Sequence, residues 1–346
     1  MKKIAICGCF GGKNRLAGGQ GAKTINLSQT LSILYDCKTV DTFNFKLKSV
    51  AIFLKIVTLY FGCDVFCVCL SRNGTKFVLR LLFFLRLFKR KPILYFPVGV
   101  CPLPVDYKPG DTISKKVYRV ANLLKRCDCV FVETNALLRE FKRLFSLKNI
   151  HLFKNYIVDY PPLFKESFDY ALNKKLKIVY FSRINKGKNT MELIECVSKL
   201  KKEGFDLQVD FYGSLTDDFK SEFLPRMDNQ TFFYKGYLKN EKTRVLSQYD
   251  CMVFTTSYLE GTPGAIIDAY FAGLPVLSQW FWASEELVQI PGCGDVSNDV
   301  YHMIKNALTK KNYLVNYQKN VYQFALSYYS LSEKEEIERI FKRYGN

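Results

Sequence analysis

Short, nearly continuous apolar runs alternate along this chain with longer stretches in which apolar residues recur every three or four positions. In the first half the runs are 4–10, 37–43, 63–70, 92–98 and 129–135, with helical patterns near 21–34, 74–90, 113–126 and 134–145. Apolar runs without polar alternation mark strands buried on both faces, and their alternation with helices predicts a parallel sheet covered on both sides. The pattern restarts after a polar, Pro-containing stretch at 155–175, which reads as a linker. Strands are expected at 177–183, 207–213, 231–237, 251–256 and 275–280, with helices at 189–203, 240–249 and 264–272. The charged tail 327–346 reads as a surface helix. The expectation is an α/β chain of two doubly wound, Rossmann-like domains facing a central cleft. The domains are 1–157, with 327–346 packing back on it, and 158–326. Ligands in such folds bind beyond the carboxyl ends of the strands.

Length and composition agree with this picture. A chain of 346 residues suits two domains of about 150–200 residues each. No apolar stretch reaches the roughly 20 residues needed to span a bilayer, and the first ten residues lack the apolar core of a signal peptide. The protein is therefore expected in the cytoplasm. Charge is distributed unevenly: residues 1–155 hold 27 Lys/Arg against 8 Asp/Glu, while 156–346 hold 24 of each. The whole excess of +19 thus lies in the first half, which should face something acidic: a membrane surface, a phosphorylated substrate or nucleic acid. The twelve cysteines include three Cys-x-Cys pairs (Cys7/Cys9, Cys67/Cys69, Cys127/Cys129) in apolar segments and no Cys-x-x-Cys. They read as small core residues rather than zinc ligands.

Three loops that should follow strands carry candidate chemistry. The longest signal is 257–278, where Glu260-Gly261-Thr262-Pro263 leads into a helix opening at about Gly264, with Asp268 one turn inside it. Backbone N–H groups and the dipole at that helix start favour a phosphate or sugar oxygen, and the two carboxylates can accept hydrogen bonds from vicinal hydroxyls. The second loop, 181–189, offers the fixed cations Arg183 and Lys188, with Lys186 a competitor for the lysine role. The third, 16–24, places Gly18, Gly19 and Gln20 between the first strand and first helix.

The 257–278 segment resembles the signature of family-4 glycosyltransferases, group 1 enzymes with the GT-B fold, here of the bacterial surface-polysaccharide type. The family pattern is an acid, then Gly-x-Pro, then a second acid eight positions after the first, matched by Glu260 and Asp268. The resemblance implies that Glu260 contacts hydroxyls of the donor sugar and Asp268 the nucleotide ribose. The family's usual second acid is Glu, and Asp268 is one methylene shorter. The resemblance further implies that Arg183 and Lys188 sit on the donor diphosphate, that Gly18, Gly19 and Gln20 form the glycine loop near the phosphates, and that Gly236 and Tyr237 lie where the second domain meets the base. Many family members carry a histidine near the reacting sugar; this chain has only His151 and His302, neither in such a loop.

The activity so implied is retaining transfer from a UDP- or GDP-type nucleotide sugar to a saccharide or lipid-linked saccharide, with no cofactor and no metal. Glu260, Arg183 and Lys188 are the expected catalytic residues. The leaving diphosphate itself can take the acceptor's proton, and rate then rests on orientation and charge stabilisation. Asp217 and Asp218 read as acids at a helix start rather than metal ligands. The basic segment 76–91 mixes bulky apolar residues with Lys/Arg. It reads equally as a sheet-covering helix or as an amphipathic helix on the anionic inner face of the membrane. Two alternatives stand beside this reading. A nicotinamide-dependent oxidoreductase is disfavoured because Gly-x-Gly-x-x-Gly is broken after Gly8, although Asp41 ends the second strand where a ribose-binding acid could sit. A nucleic-acid-binding protein would need aromatic–basic surface patches, whereas the aromatics fall in core-like runs, so no nucleic acid is expected.

Overall fold

The computed structural model describes residues 2–12, 19–108, 111–163, 175–330, 338–339 and 341–344, with the backbone alone at 45 and 46. Gly18 lies outside the described residues, as does most of the segment 327–346 beyond Ser330. The chain forms two compact units, 1–159 with 329–346, and 160–328.

In the first unit, strands β1 (Lys3–Gly8), β2 (Asp36–Asp41), β3 (Val65–Cys69), β4 (Ile93–Tyr95), β5 (Cys129–Val132) and β6 (Ile150–Leu152) form one parallel sheet in the order β2-β1-β3-β4-β5-β6. Every residue of β3, β4 and β5 is buried, as continuous apolar strands in a covered parallel sheet must be. The connecting helices are α1 (Gly19–Ser32), α2 (Phe45–Gly62), α3 (Arg72–Leu85), α4 (Lys115–Leu124) and α5 (Asn135–Phe145). Thr134 caps α5, its hydroxyl oxygen accepting the Leu137 N–H at 3.2 Å. Helix α2 has no counterpart among the expected elements. It buries a stripe of Ile52, Ile56 and Tyr60 spaced four residues apart, yet its other faces are also largely apolar, which hides the helical period.

The core of this unit stacks Phe96 on Phe131 at 4.8 Å between ring centroids. Phe341, from the tail, lies parallel to Phe131 at 5.9 Å and is 3% exposed. The expected surface segment thus contributes a core side chain. All twelve cysteines are free thiols, with Cys67, Cys69 and Cys129 fully buried. Burial pushes the Cys129 thiol up to about 12 and Cys101 to about 11, which leaves both as neutral packing groups at physiological pH.

The second unit repeats the plan with β7 (Leu176–Phe181), β8 (Leu207–Tyr212), β9 (Phe232–Gly236), β10 (Cys251–Phe254), β11 (Val276–Ser278) and β12 (Gly294–Val296), all parallel, in the order β12-β11-β10-β7-β8-β9. Its helices are α6 (Thr190–Lys202), α7 (Lys220–Phe223), α8 (Lys242–Leu246), α9 (Gly264–Phe271), α10 (Val300–Thr309) and α11 (Tyr313–Tyr329). Strand β12 and helices α10 and α11 extend beyond the expected elements. Strand β12 reads Gly-Asp-Val, with Val296 its one apolar side chain, so no apolar run marks it. Gly213 follows β8 at φ 153°, and a Cβ there would lie 1.8 Å from the Ser182 carbonyl oxygen. Only glycine lets the β7 and β8 exits approach so closely.

Among the described residues, no helix is long and apolar enough to cross a membrane. Phe341→Ala should destabilise the protein by about 3–5 kcal/mol, measured by urea denaturation; an unchanged midpoint would show that the tail does not hold the first core.

Candidate functional site

Three strand exits in the second unit bring the site together. After β7 the chain passes Arg183 and makes a short 3-10 turn, Lys186–Lys188. Asn189 then takes a left-handed φ of 47° before α6 begins. This turn is tied to the loop after β10: the Thr255 hydroxyl donates to the Lys188 carbonyl at 2.6 Å, and the Ser257 N–H and hydroxyl both reach the Gly187 carbonyl at 3.0 Å. A Cβ at Gly187 would lie 1.9 Å from the Tyr258 ring, so any larger residue here would have to displace that ring. Gln279, just past β11, links the same loops. Its carbonyl oxygen accepts from Asn189 Nδ2 and from the Thr256 N–H, each at 2.9 Å, and its amide donates to Glu192 at 2.9 Å.

The result is that Lys188, not Lys186, is turned inward. Lys186 is exposed. Lys188 is buried, and its Nζ lies 2.5 Å from Glu260 Oε1 and 5.0 Å from the centre of the Phe254 ring. A buried ammonium needs a countercharge, and Glu260 supplies it from the loop before α9. Arg183 is exposed, with its carbonyl accepting from the Tyr180 hydroxyl at 3.0 Å.

Gly261 and Pro263 are buried and Thr262 half-buried, while Gly264 is exposed at the first turn of α9, which no side chain caps. The leading N–H groups of a helix have no acceptor within it. Asp268, one turn on, pairs with Lys242 of α8 at 3.2 Å. Its side chain is about a third exposed, yet burial among the surrounding residues raises its pKa, with Lys242 opposing that shift. Gly236 ends β9 at φ 74°, and its carbonyl accepts the Gly213 N–H at 2.9 Å. Tyr237 beside it is mostly exposed.

The first unit holds the remaining candidates. Gly19 and Gln20 open α1, following the segment that contains Gly18. Asp41 plays a structural part, since its carboxylate accepts the N–H groups of Phe10, Gly12 and Phe43, each at 2.9 Å. Those bonds bind the loop after β1 to the end of β2, so Asp41 is not held free for a nucleotide ribose. Close by in sequence, Lys23 of α1 pairs with Glu133, just beyond β5, at 2.7 Å in a nearly buried position. His151 lies on the edge strand β6 with its pKa lowered by burial and by Arg343 and Lys142, and His302 binds Asp299 at 2.5 Å on an exposed helix start. Asp217 starts a short helix and pairs with Lys220 at 2.7 Å.

Sequence reasoning singled out Lys188, Glu260 and Asp268 but not Lys242 or Gln279. Neither sits in a recognisable motif, and only the folded loops reveal what each touches.

Residues 175–298 match the family described as glycosyl transferases group 1. Over 172 residues the chain is 25% identical to the poly(glycerol-phosphate) alpha-glucosyltransferase of Bacillus subtilis (strain 168), spanning 48% of this chain but about a quarter (24%) of that relative. HepE from Anabaena, solved in complex with UDP and glucose, aligns over 99% of this chain and 100% of its own with a TM-score of 0.72 at 14% identity. Sucrose-phosphate synthase from Thermosynechococcus elongatus aligns over 99% of both chains with a TM-score of 0.78, also at 14% identity. At such identities these two likenesses concern the fold, which is GT-B. The family match thus covers residues 175–298, and the fold of the chain is GT-B.

Two outcomes check the site. A double-mutant cycle of Lys188→Met and Glu260→Gln in thermal unfolding should give a coupling of about 1–3 kcal/mol; additive effects would mean that the pair does not form. Asp268 has a folded pKa above its unfolded value, so its contribution to stability is present below about pH 3.9 and is lost as pH rises through the folded value. Asp268→Asn should therefore match the wild-type Tm in strong acid and equal or exceed it at pH 7. A variant less stable only at neutral pH would reverse the assignment.

Proposed function

We propose that this protein is a retaining glycosyltransferase that moves a hexosyl group from a nucleotide-diphosphate sugar to a saccharide or lipid-linked saccharide, in the synthesis of a surface polysaccharide. The observation that carries this reading is the Lys188–Glu260 pair, a cation and a carboxylate joined at the strand exits inside the matched segment 175–298. A carboxylate there can accept hydrogen bonds from two sugar hydroxyls, and a lysine beside it can neutralise a leaving diphosphate.

In this reading Lys188 and Arg183 hold the donor diphosphate, of UDP or GDP type, and the N–H groups of Gly264 and its neighbours add to that field. Glu260 orients the donor sugar, and Asp268 takes the ribose hydroxyls. Gly261, Thr262 and Pro263 shape the approach, and Gly236 and Tyr237 flank the base. Gly18, Gly19 and Gln20 are assigned to the donor phosphates, and the first unit to the acceptor. The acceptor oxygen attacks the anomeric carbon on the face from which the diphosphate leaves. The bond from that carbon to the diphosphate oxygen breaks with its electron pair on the leaving group, and the acceptor's proton passes to a phosphate oxygen. No cofactor or metal is assigned to the reaction.

The HepE structures with UDP and glucose, and the named activity of the Bacillus relative, support the choice of a nucleotide-sugar donor. The protein is read as cytoplasmic, working at the inner face of the membrane, where the basic excess of residues 1–155 meets anionic lipid.

The test is a thermal-shift screen with UDP, GDP and ADP and their glucose conjugates. At least one uridine or guanosine pair should raise Tm by several degrees, and Glu260→Ala should cut transfer by two orders of magnitude or more, roughly 3 kcal/mol, while remaining folded. No stabilisation by any of them would sink the reading.

A further inference from the structure

Helices α2 and α3 each carry two apolar faces. One covers the sheet: Ile52, Ile56 and Tyr60 on α2, and Val78, Leu79 and Leu82 on α3, are all buried. The second face looks outward. Among the described residues, 17 large hydrophobic side chains are exposed, and nine of these fall between positions 47 and 88. Leu47, Val50 and Leu54 run along α2, with Leu47 at 85% exposure. Phe84 stands out of α3 at 56%, and Leu87 and Phe88 just beyond its end at 80% and 69%. The helices pack against each other, and a groove of 390 Å³ between them is lined by Phe53, Phe77 and Phe84 together with Lys76 and Arg80. A monomeric protein rarely leaves so many apolar side chains grouped in water.

Charge identifies what covers them. Residues 45–91 contain ten Lys/Arg and one acid, Asp64. Asp64 is occupied, accepting the Lys3 N–H at 2.8 Å. Lys55, Arg80, Lys89 and Arg90 are exposed among the apolar side chains. Arg86 is paired with Asp128 at 2.6 Å, and the excess that remains would bring two basic surfaces together if a second copy met this face, so self-association is opposed. Separate, protruding Leu and Phe side chains interleaved with Lys and Arg match the boundary between acyl chains and anionic headgroups. We propose that the joint outer face of α2 and α3 docks this protein on an anionic membrane.

Both helices begin at the carboxyl ends of their strands, α2 after β2 and α3 after β3. The docking face therefore starts at the sheet edge where ligands of such folds bind. On the acceptor reading proposed above, this would set a lipid-linked acceptor next to that edge without its leaving the bilayer.

The experiment is vesicle flotation of the full chain, without nucleotide sugar, on phosphatidylcholine alone and on phosphatidylcholine containing about one third phosphatidylglycerol. Binding should be roughly tenfold or more tighter on the anionic vesicles and fall with added salt. Leu54→Asp with Phe84→Asp should abolish it, and Lys55→Ser with Arg80→Ser should weaken it about tenfold. All four positions are exposed, and an unchanged Tm would confirm that the variants fold. Equal binding to both vesicle types, retention of binding by the Asp pair, or concentration-dependent dimerisation that the Asp pair removes would each overturn the proposal. Donor binding, read separately by thermal shift without lipid, can fail or succeed independently.

Discussion

Parallel strands must be buried on both faces, and in this protein that constraint decides where polar chemistry can sit. The central strands of each unit are nearly pure apolar runs, and the helices return the chain to begin each next strand at the same end. The charged groups of the candidate site accordingly lie at the strand exits. Lys188, Glu260, Asn189 and Gln279 all lie within a few residues of the ends of β7, β10 and β11. Asp41 and Glu133 occupy the same kind of position in the first unit and are consumed by the fold, one by three backbone N–H groups and one by Lys23.

The Lys188–Glu260 pair has two consequences at once. A lysine turned inward beside Phe254 needs a partner, and a carboxylate in the loop before α9 needs a donor. Each satisfies the other, so the segment 181–189 and the segment 257–264 are coupled before any ligand arrives. Thr255, Ser257 and Gln279 add neutral hydrogen bonds between the same loops. A loop held this way presents its cation with little reorganisation, which is what charge stabilisation in a reaction requires.

The outer face of α2 and α3 follows a different logic. Nothing in sheet packing calls for Leu47, Leu54 or Leu87 to be apolar, since the stripe that covers the sheet is already complete with Ile52, Ile56 and Tyr60. Those side chains, together with the basic residues between them, answer to something outside the protein.

Much of this was legible from the chain alone. Continuous apolar runs gave the parallel strands, the restart after residue 175 gave the second unit, and strand-exit position marked Glu260, Lys188 and Asp268. Those signals are local, carried by periodicity and by residue types within a few positions. Helix α2 escaped because a helix apolar on most faces shows no period. Strand β12 escaped because Gly294, Asp295 and Val296 form no apolar run. The sequence also left Lys186 as a competitor of Lys188, could not see Lys242 beside Asp268 or Gln279 between three loops, and left Asp41 open as a ribose ligand. Each of those depends on contacts between segments tens of residues apart, and only the tertiary structure, by bringing the strand exits together, decides which charge is buried and which partner it meets.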